Sequence, residues 1–211
     1  MRLVLASDTH DRHRGLAVPE GDVFIHAGDF TMNGNLKAVA AFGAWIRALP
    51  HRYKVVIAGN HDWSFENAPA TARQALRDGE DGLIYLQDSG VTLEGISFWG
   101  SPWQPWFYDW AFNLQRGPEI AAKWDLIPAG TGVLITHGPP MGILDLVPIG
   151  GHVGCADLLE RIGDIRPRVH AFGHIHEGFG VEEHGGTTFV NASICDRAYV
   201  PANPLRVVDI A

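Results

Sequence analysis

The sequence predicts an α/β fold with two packed, mixed β-sheets, and three observations carry that expectation. Short β-rich runs alternate with helical ones through the first half of the chain, which favours parallel strands with helices between them. The C-terminal part has hairpin-like connections such as His184-Gly185-Gly186, so some pairing there must be antiparallel. The 211 residues suffice for one sizeable core and are marginal for two, so a single domain over 1–211 is expected.

The elements follow in order. Arg2 to Ala6, Val23 to Ala27 and Tyr53 to Ala58 are β-rich and read as strands. Leu36 to Leu49 has Leu36, Val39, Ala40, Phe42, Gly43 and Ile46 near helical spacing, and Pro50 stops it. Ala70 to Arg77 reads as a second helix. Leu83 to Leu86, Val91 to Leu93 and Ile96 to Gly100 are short strands parted by turns at Asp88-Ser89-Gly90 and Glu94-Gly95. Ser101 to Gln115, with Pro102, Pro105 and many aromatics, reads as a loop. Pro118 to Trp124 is a helix with proline in its first turn. Val133 to Thr136 is a buried strand, Gly138 to Gly154 a Gly/Pro-rich loop, and Cys155 to Ile162 a helix. Val169 to Phe172, Phe179 to Glu183, Thr187 to Asn191 and Arg206 to Ile210 complete the strands.

Composition narrows the function classes. Hydrophobic residues make up 46% and charged residues 19%, an ordinary globular balance. No apolar run approaches the ~20 residues of a membrane span, and the start of the chain reads as a first strand and not a signal peptide. The formal charge of −8, with no basic stripe, argues against binding long nucleic acid. Bound divalent ions would offset part of that charge. Cys155 and Cys195 form no CxxC pair and suit free thiols in a reducing cytoplasm.

Five runs carry the chemistry: Asp8-Thr9-His10, Gly28-Asp29, Gly59-Asn60-His61-Asp62, Thr136-His137-Gly138 and Gly173-His174-Ile175-His176. Each falls just after an expected strand, and in open α/β sheets the carboxyl ends of strands converge on the ligand site. The pairs Asp8/His10 and His174/His176 are two residues apart, so extended backbone would aim both members one way. Imidazole and carboxylate suit divalent transition ions, and an Asp carboxylate can bridge two of them. No thiolate stands in the runs, which argues against a structural zinc finger. A lone histidine after a strand is usually a hydrogen-bonded structural residue; it is the set of five that points to a site.

The order DxH, GD, GNHD, THG and GHIH resembles the metallophosphoesterase (calcineurin-like) superfamily. Phe24 to Phe30, Gly100 to Pro105, Trp110 to Leu114, Thr136 to Pro140 and Asn191-Ala192-Ser193 are similar to its metallophosphoesterase-domain-containing subfamily. The resemblance covers nearly the whole chain. It implies a four-layer α/β/β/α sandwich with two mixed sheets and two divalent metal ions drawn from Mn, Fe, Zn, Ni or Mg, Mn being favoured. Asp8, His10 and His176 would hold the first ion, Asn60, His137 and His174 the second, and Asp29 would bridge both. His61 would sit beside the phosphate as the catalytic group, with Asn60 also touching substrate. The run at Gly28-Asp29-Phe30-Thr31-Met32 lacks the Asp-Arg pair of the superfamily's protein phosphatases and the ligand tyrosine of its purple acid phosphatases.

The resemblance thus implies a phosphodiesterase for small, cyclic or similar nucleotide diesters. Two ions ~3.5–4 Å apart can share a water and lower its pKa for in-line attack, and an imidazole at His61 can protonate or stabilise the leaving oxygen. A non-catalytic metal or nucleotide binder on the same fold is the rival. Asp62 has two readings, orienting His61 or capping the next turn. Trp103 and Trp106, in an aromatic stretch that holds four of the seven tryptophans, are candidates to stack on a base; the structural alternative is that such rings pack the loop or meet a partner protein. His152, flanked by glycines, is a candidate wall of the substrate site. His26 reads as core, and His13, His51, His170 and His184 as loop or surface. A homo-oligomer is compatible with the sequence.

Overall fold

The computed structural model describes residues 1–148 and 150–210; Ile149, within the expected loop 138–154, and Ala211 lie outside the described residues. In chain order the strands are β1 (Arg2–Ala6), β2 (Val23–His26), β3 (Tyr53–Val56), β4 (Leu83–Tyr85), β5 (Ser89–Leu93), β6 (Ile96–Ser101), β7 (Gln104–Pro105), β8 (Asn113–Leu114), β9 (Val133–Thr136), β10 (Leu146–Val147), β11 (Gly151–His152), β12 (Val169–Phe172), β13 (Gly180–His184), β14 (Thr187–Asn191) and β15 (Arg206–Asp209). The helices are α1 (Leu36–Arg47), α2 (Ser64–Asn67), α3 (Pro69–Leu76), α4 (Pro118–Trp124) and α5 (Ala156–Ile165).

Two large sheets result. One runs β15-β1-β2-β3-β4, parallel except for β15; the other runs β13-β14-β12-β9-β6-β5 and is mixed. Alternation within the strands explains the layering. Leu3 and Leu5 face the other sheet, meeting Phe98, Val133, Ile135, Val169 and Val190 in the inter-sheet core. Val4 and Ala6 face outward with Phe24 and Val56 to pack on Phe42 and Ile46 of α1 and Leu76 of α3. Leu134, Phe172 and Phe189 face outward on the second sheet, against Trp124, Leu158 and Ile162 of α4 and α5. Three apolar cores between four layers make the expected α/β/β/α sandwich.

Register then positions the site. Ala6, His26 and Val56 align across the first sheet, so the segments after β1, β2 and β3 leave from one edge. Ser101 pairs with Thr136, and Ala171 with Ile135, so the segments after β6, β9 and β12 leave together as well. A parallel bridge between Ser7 and Ser193 ties the end of β1 to the chain beyond β14, which joins the two edges.

Several local expectations need correction. The stretch 101–115 is not featureless: its ends pair as β7 and β8. The expected loop 138–154 contains the β10–β11 hairpin. The short helix α2 was not expected. His13, His51 and His170 are buried, although His51 does lie in the loop before β3. His13 packs edge-on to Phe42, His51 lies against Phe24, and His170 lies within β12 beside Phe172 and Phe189, with Nε2 2.8 Å from Thr136 Oγ1. An imidazole is half aromatic disc, and these three limit their polar cost largely by staying neutral.

Candidate metal centre and adjoining groove

The five runs converge at the joined sheet edges, but not by strand alternation. Asp8 (φ 53°), His10 (φ 40°), Asp29 (φ 54°) and His174 (φ 68°) all adopt left-handed backbone conformations. Asp tolerates that region better than most residues, and histidine is also enriched there. Non-glycine residues held there store of order 1 kcal/mol of strain each, a cost that gathers at functional sites. The chain thus turns sharply as it leaves each strand and aims these side chains inward.

The turns are tied to one another. Asp8 N donates to the Gly28 carbonyl and His10 N to the Asp29 carbonyl. The Asp8 carboxylate accepts from His174 N and, at 2.8 Å, from Ser193 Oγ. Asp29 Oδ1 accepts from His61 N at 2.8 Å. Asp62 accepts from the backbone of Phe30, Thr31 and Gly59 and from Thr31 Oγ1. It therefore braces the Asp29 turn against the Asn60 turn, and its side-chain hydrogen bonds go neither to the His61 ring nor to the turn that follows, so both expected readings give way to this one. Three glycines are required by crowding. A Cβ on Gly28 would lie 2.6 Å from His137 Nδ1, one on Gly59 would invade Asp29 Oδ1, and one on Gly173 would invade Asp8 Oδ2.

Backbone carbonyls fix the tautomer of three of the rings. Nδ1 of His61 contacts the Met32 carbonyl at 2.8 Å, that of His137 the Ala27 carbonyl at 2.9 Å, and that of His176 the Asp196 carbonyl at 2.8 Å. A carbonyl only accepts, so each Nδ1 carries the hydrogen and each Nε2 of the neutral ring offers its lone pair. Those Nε2 atoms face the carboxylates. Asp29 Oδ2 lies 3.4 Å from His137 Nε2, 3.9 Å from His10 Nε2 and 4.0 Å from His61 Nε2. Asp8 Oδ1 lies 3.4 Å from His176 Nε2, which is also 3.4 Å from His10 Nε2. Asn60 Oδ1 is 2.9 Å from His137 Nε2, and the rings of His137 and His174 are 5.0 Å apart.

Donor atoms that each lie ~2.1 Å from one ion are themselves about 3–3.5 Å apart. The spacing, the lone-pair directions and the N/O donor set therefore fit divalent cations. Ligand atoms of Asp8, His10 and His176 group together, as do those of Asp29, His137 and His174, and of His10, Asp29 and His61. The structure thus brings together all eight residues expected from the five runs, Asp8, His10, Asp29, Asn60, His61, His137, His174 and His176.

The electrostatics match. Burial pushes the Asp29 carboxyl up, but the imidazoles of His137, His61 and His10 outweigh it and hold the group well below the usual carboxylate range. Asp8 is lowered in the same way, burial being overcome chiefly by His176. Burial lowers His10 to about 4 and His174 to about 3, keeping both neutral. His137 and His176 resist burial because Asp29 and Asp8, respectively, raise each to about 9. Cations and protons compete for these ring nitrogens.

A cavity of about 310 Å³ opens beside His174 and Gly138, walled by Pro105, Trp106, Phe107, Val147 and Val153 among others. Trp106 thus lines this cavity. Trp103 is not part of that wall: its Nε1 donates to Asp88 Oδ2, Lys123 Nζ sits 4.4 Å over its ring, and it packs on Phe112. His152 is also misplaced by the sequence reading. Its Nδ1 is 2.5 Å from the buried Asp145, and its neighbours Val153 and Gly154 line the groove instead. Two aromatic neighbours of the cluster were missed: Trp110 stacks on His61, and Tyr199 meets His10 edge-on at 4.7 Å. The Trp-rich stretch hinted at the first; nothing in the sequence singled out Tyr199.

The model of the calcineurin-like phosphoesterase superfamily domain matches residues 1–199. The chain belongs to that superfamily. Human metallophosphoesterase domain-containing protein 1 is 47% identical, over 99% of this chain and 71% of the relative. A UPF0046 protein of Caenorhabditis elegans is 42% identical over 93% of this chain and 71% of the relative. Among solved structures, TT1561 of Thermus thermophilus aligns with a TM-score of 0.61 at 13% identity, covering 99% of this chain and 98% of that one. A structure described as a novel archaeal phosphodiesterase aligns with a TM-score of 0.52 at 18% identity, covering 99% and 93%. At such identities the solved structures establish the fold alone. Members of this superfamily are metal-dependent phosphoester hydrolases, and the His/Asp cluster of this chain is where a metal could bind. No helix among the described residues is long and apolar enough to cross a membrane.

Proposed function

We propose that the protein is a dinuclear, metal-dependent phosphodiesterase acting on small diesters, cyclic nucleotides among them. The observation that carries the reading is the grouping of buried carboxylate and imidazole ligand atoms around Asp29, with Nδ1 of His137 and His176 held on backbone carbonyls and Nε2 turned to the carboxylates. Asp8, His10 and His176 would hold one ion, Asn60, His137 and His174 the other, with Asp29 shared; Mn is favoured. When bound, such a pair supplies Lewis acidity toward the phosphoryl oxygens and an acidified water for in-line attack.

The chain's own groups do the rest. His61 keeps its Nδ1 hydrogen on the Met32 carbonyl, so the proton it exchanges is the one on Nε2, the atom facing Asp29. That proton goes to the departing ester oxygen or stabilises charge building on it. A diester has a second organic group that must be accommodated, and the groove beside His174 offers room for it, with the half-exposed Trp106 as a flat wall. Two free, buried thiols suit a reducing, cytoplasmic setting.

The test is a chelator-stripped preparation given back Mn, Ni, Zn or Mg in turn. Substrates are 2′,3′- and 3′,5′-cyclic nucleotides, bis(p-nitrophenyl) phosphate and p-nitrophenyl phosphate. Diesters are expected to turn over and to outpace the monoester. His61→Ala should lower kcat by ~10²–10⁴-fold with metal content intact, whereas Asp29→Ala should lose both. No diester hydrolysis with any ion, or full activity in His61→Ala, would overturn the respective part.

A further inference from the structure

His61 is held at one atom and along one face. The hydrogen bond from Nδ1 to the Met32 carbonyl fixes one end of the ring, but a single contact leaves an imidazole free to rock about it. The face is taken by Trp110, whose ring lies 4.3 Å away at 28°, a stacked arrangement. His10 meets His61 edge-on at 4.7 Å and Tyr199 approaches at 5.8 Å and 63°, so the ring sits between a flat wall and two edges.

Trp110 is unlike the protein's structural indoles. Trp45, Trp63, Trp99, Trp103 and Trp124 pack into the apolar cores, Trp103 against two of them, whereas Trp110 belongs to none of the three and only its tilted ring contact with Trp63 at 6.4 Å touches that group. Its neighbours explain how it is kept in place. Ala111 and Phe112 are fully buried. Ala111 N donates to the Asn60 carbonyl, immediately before His61, and Phe112 N donates to Glu66 Oε1 on α2, five residues beyond it. The aromatic loop is therefore stitched to the chain on both sides of His61, and the residue left facing the imidazole is Trp110.

We propose that Trp110 is a positioning residue that holds the His61 ring with Nε2 aimed at the cluster; this rests on the reading of His61 as the group serving the leaving oxygen. Trp110 itself would touch neither substrate nor metal. A rocking His61 would misdirect its proton while binding and metal content stayed as they were. The deficit should be larger for a poor, alkoxide-like leaving group than for p-nitrophenolate, which departs with little help.

The experiment is a double-mutant cycle on the metal-loaded protein: Trp110→Ala and Trp110→Phe, each in the wild-type and His61→Ala backgrounds. Rates come from single turnovers on bis(p-nitrophenyl) phosphate and on a dialkyl diester, with metal content measured in parallel. Trp110→Ala should lower kcat on the dialkyl diester about 10-fold, with KM and metal content unchanged. Trp110→Phe, which keeps a flat ring, should recover most of the loss. In His61→Ala, adding Trp110→Ala should cost no more than about 2-fold, since the partner it acts through is gone. An equal loss in both backgrounds would show that the loop acts on something other than His61 and would overturn the proposal, as would wild-type kcat in Trp110→Ala. Wild-type activity of His61→Ala alone would instead overturn the reading beneath it, and that is seen before Trp110 is changed.

Discussion

Replacing Gly173 with alanine adds one methyl group and should disable the cluster. Gly173 follows β12 and lies against the turn that presents Asp8. A Cβ built there meets Ser7 Cβ at 2.6 Å and falls inside Asp8 Oδ2, whereas real Cβ contacts essentially never come under 3.0 Å. Both neighbours are confined. Ser7 is bridged to Ser193, and Asp8 is fully buried and holds hydrogen bonds from His174 N and Ser193 Oγ. The carboxylate must therefore retreat by about 1 Å, roughly five times the ~0.2 Å tolerance of a metal–ligand distance.

The expected cost is at least ~100-fold in metal-dependent kcat/KM, the penalty typical of a 1 Å misplacement. The assay is metal stoichiometry after dialysis together with diester turnover, with circular dichroism to show that the sheets persist. Gly163→Ala is the control. That glycine is exposed in α5 with nothing near its missing Cβ, so alanine there should stabilise the protein by ~0.5–1 kcal/mol and leave activity alone. Wild-type metal content and turnover in Gly173→Ala would refute the argument that crowding at this glycine shapes the Asp8 half of the cluster.

Three further outcomes are expected. Trp103→Ala should cost ~2–4 kcal/mol in urea unfolding and leave KM unchanged, while Trp106→Ala should raise KM for nucleotide diesters ~5-fold or more at unchanged stability, because the first ring is packed and the second borders the groove. Asp62→Ala strips acceptors from three backbone N–H groups and the Thr31 hydroxyl and should cost ~2–4 kcal/mol, with Asp62→Asn costing less because its amide oxygen still accepts. Acid should weaken the fold through His170. Burial lowers its pKa to about 3, so below ~6.5 the unfolded chain takes up a proton that the folded chain refuses; that stability is present above ~6.5 and is lost as pH falls toward 3. Between pH ~6.5 and ~4.5 the loss is about 2 kcal/mol, and chemical unfolding of His170→Gln should show a correspondingly shallower decline over that window.

How much of this was readable in the chain depends on the distance over which each feature is decided. β9 was legible because four consecutive apolar or β-prone residues between turns leave little choice, β12 because Val169, Ala171 and Phe172 outweigh the one polar residue, and the five runs were legible because each follows a strand. The reason offered for the convergence of Asp8 with His10 was nonetheless different from the real one. Extended backbone would give the pair a common direction, but the observed left-handed turns have no local signature beyond a mild preference for Asp and His. The buried His13 and His170 were misjudged because a polar letter in the sequence does not disclose whether an aromatic layer surrounds it. Trp103 and Trp106 are three residues apart in one aromatic run, yet one is a packed beam and the other a groove wall; Asp88 and Lys123, both distant in sequence, decide the difference.

The aromatic loop and the cluster belong to one device. β7 and β8 pair through only two residue pairs, too few to hold the whole loop in place. What anchors the loop is a set of contacts at its flanks: Ser101 Oγ and Trp103 Nε1 on Asp88, Phe112 N on Glu66, and Ala111 N on the Asn60 carbonyl. With both flanks tied, Trp106 and Phe107 are carried to the groove and Trp110 to the His61 ring by one and the same segment. Changes in the groove wall can therefore reach the imidazole through a few residues of backbone. A substitution at Trp106 that alters KM alone would show that the flanks isolate the two ends; one that also lowers kcat in the wild type but not in His61→Ala would show that the loop transmits between them.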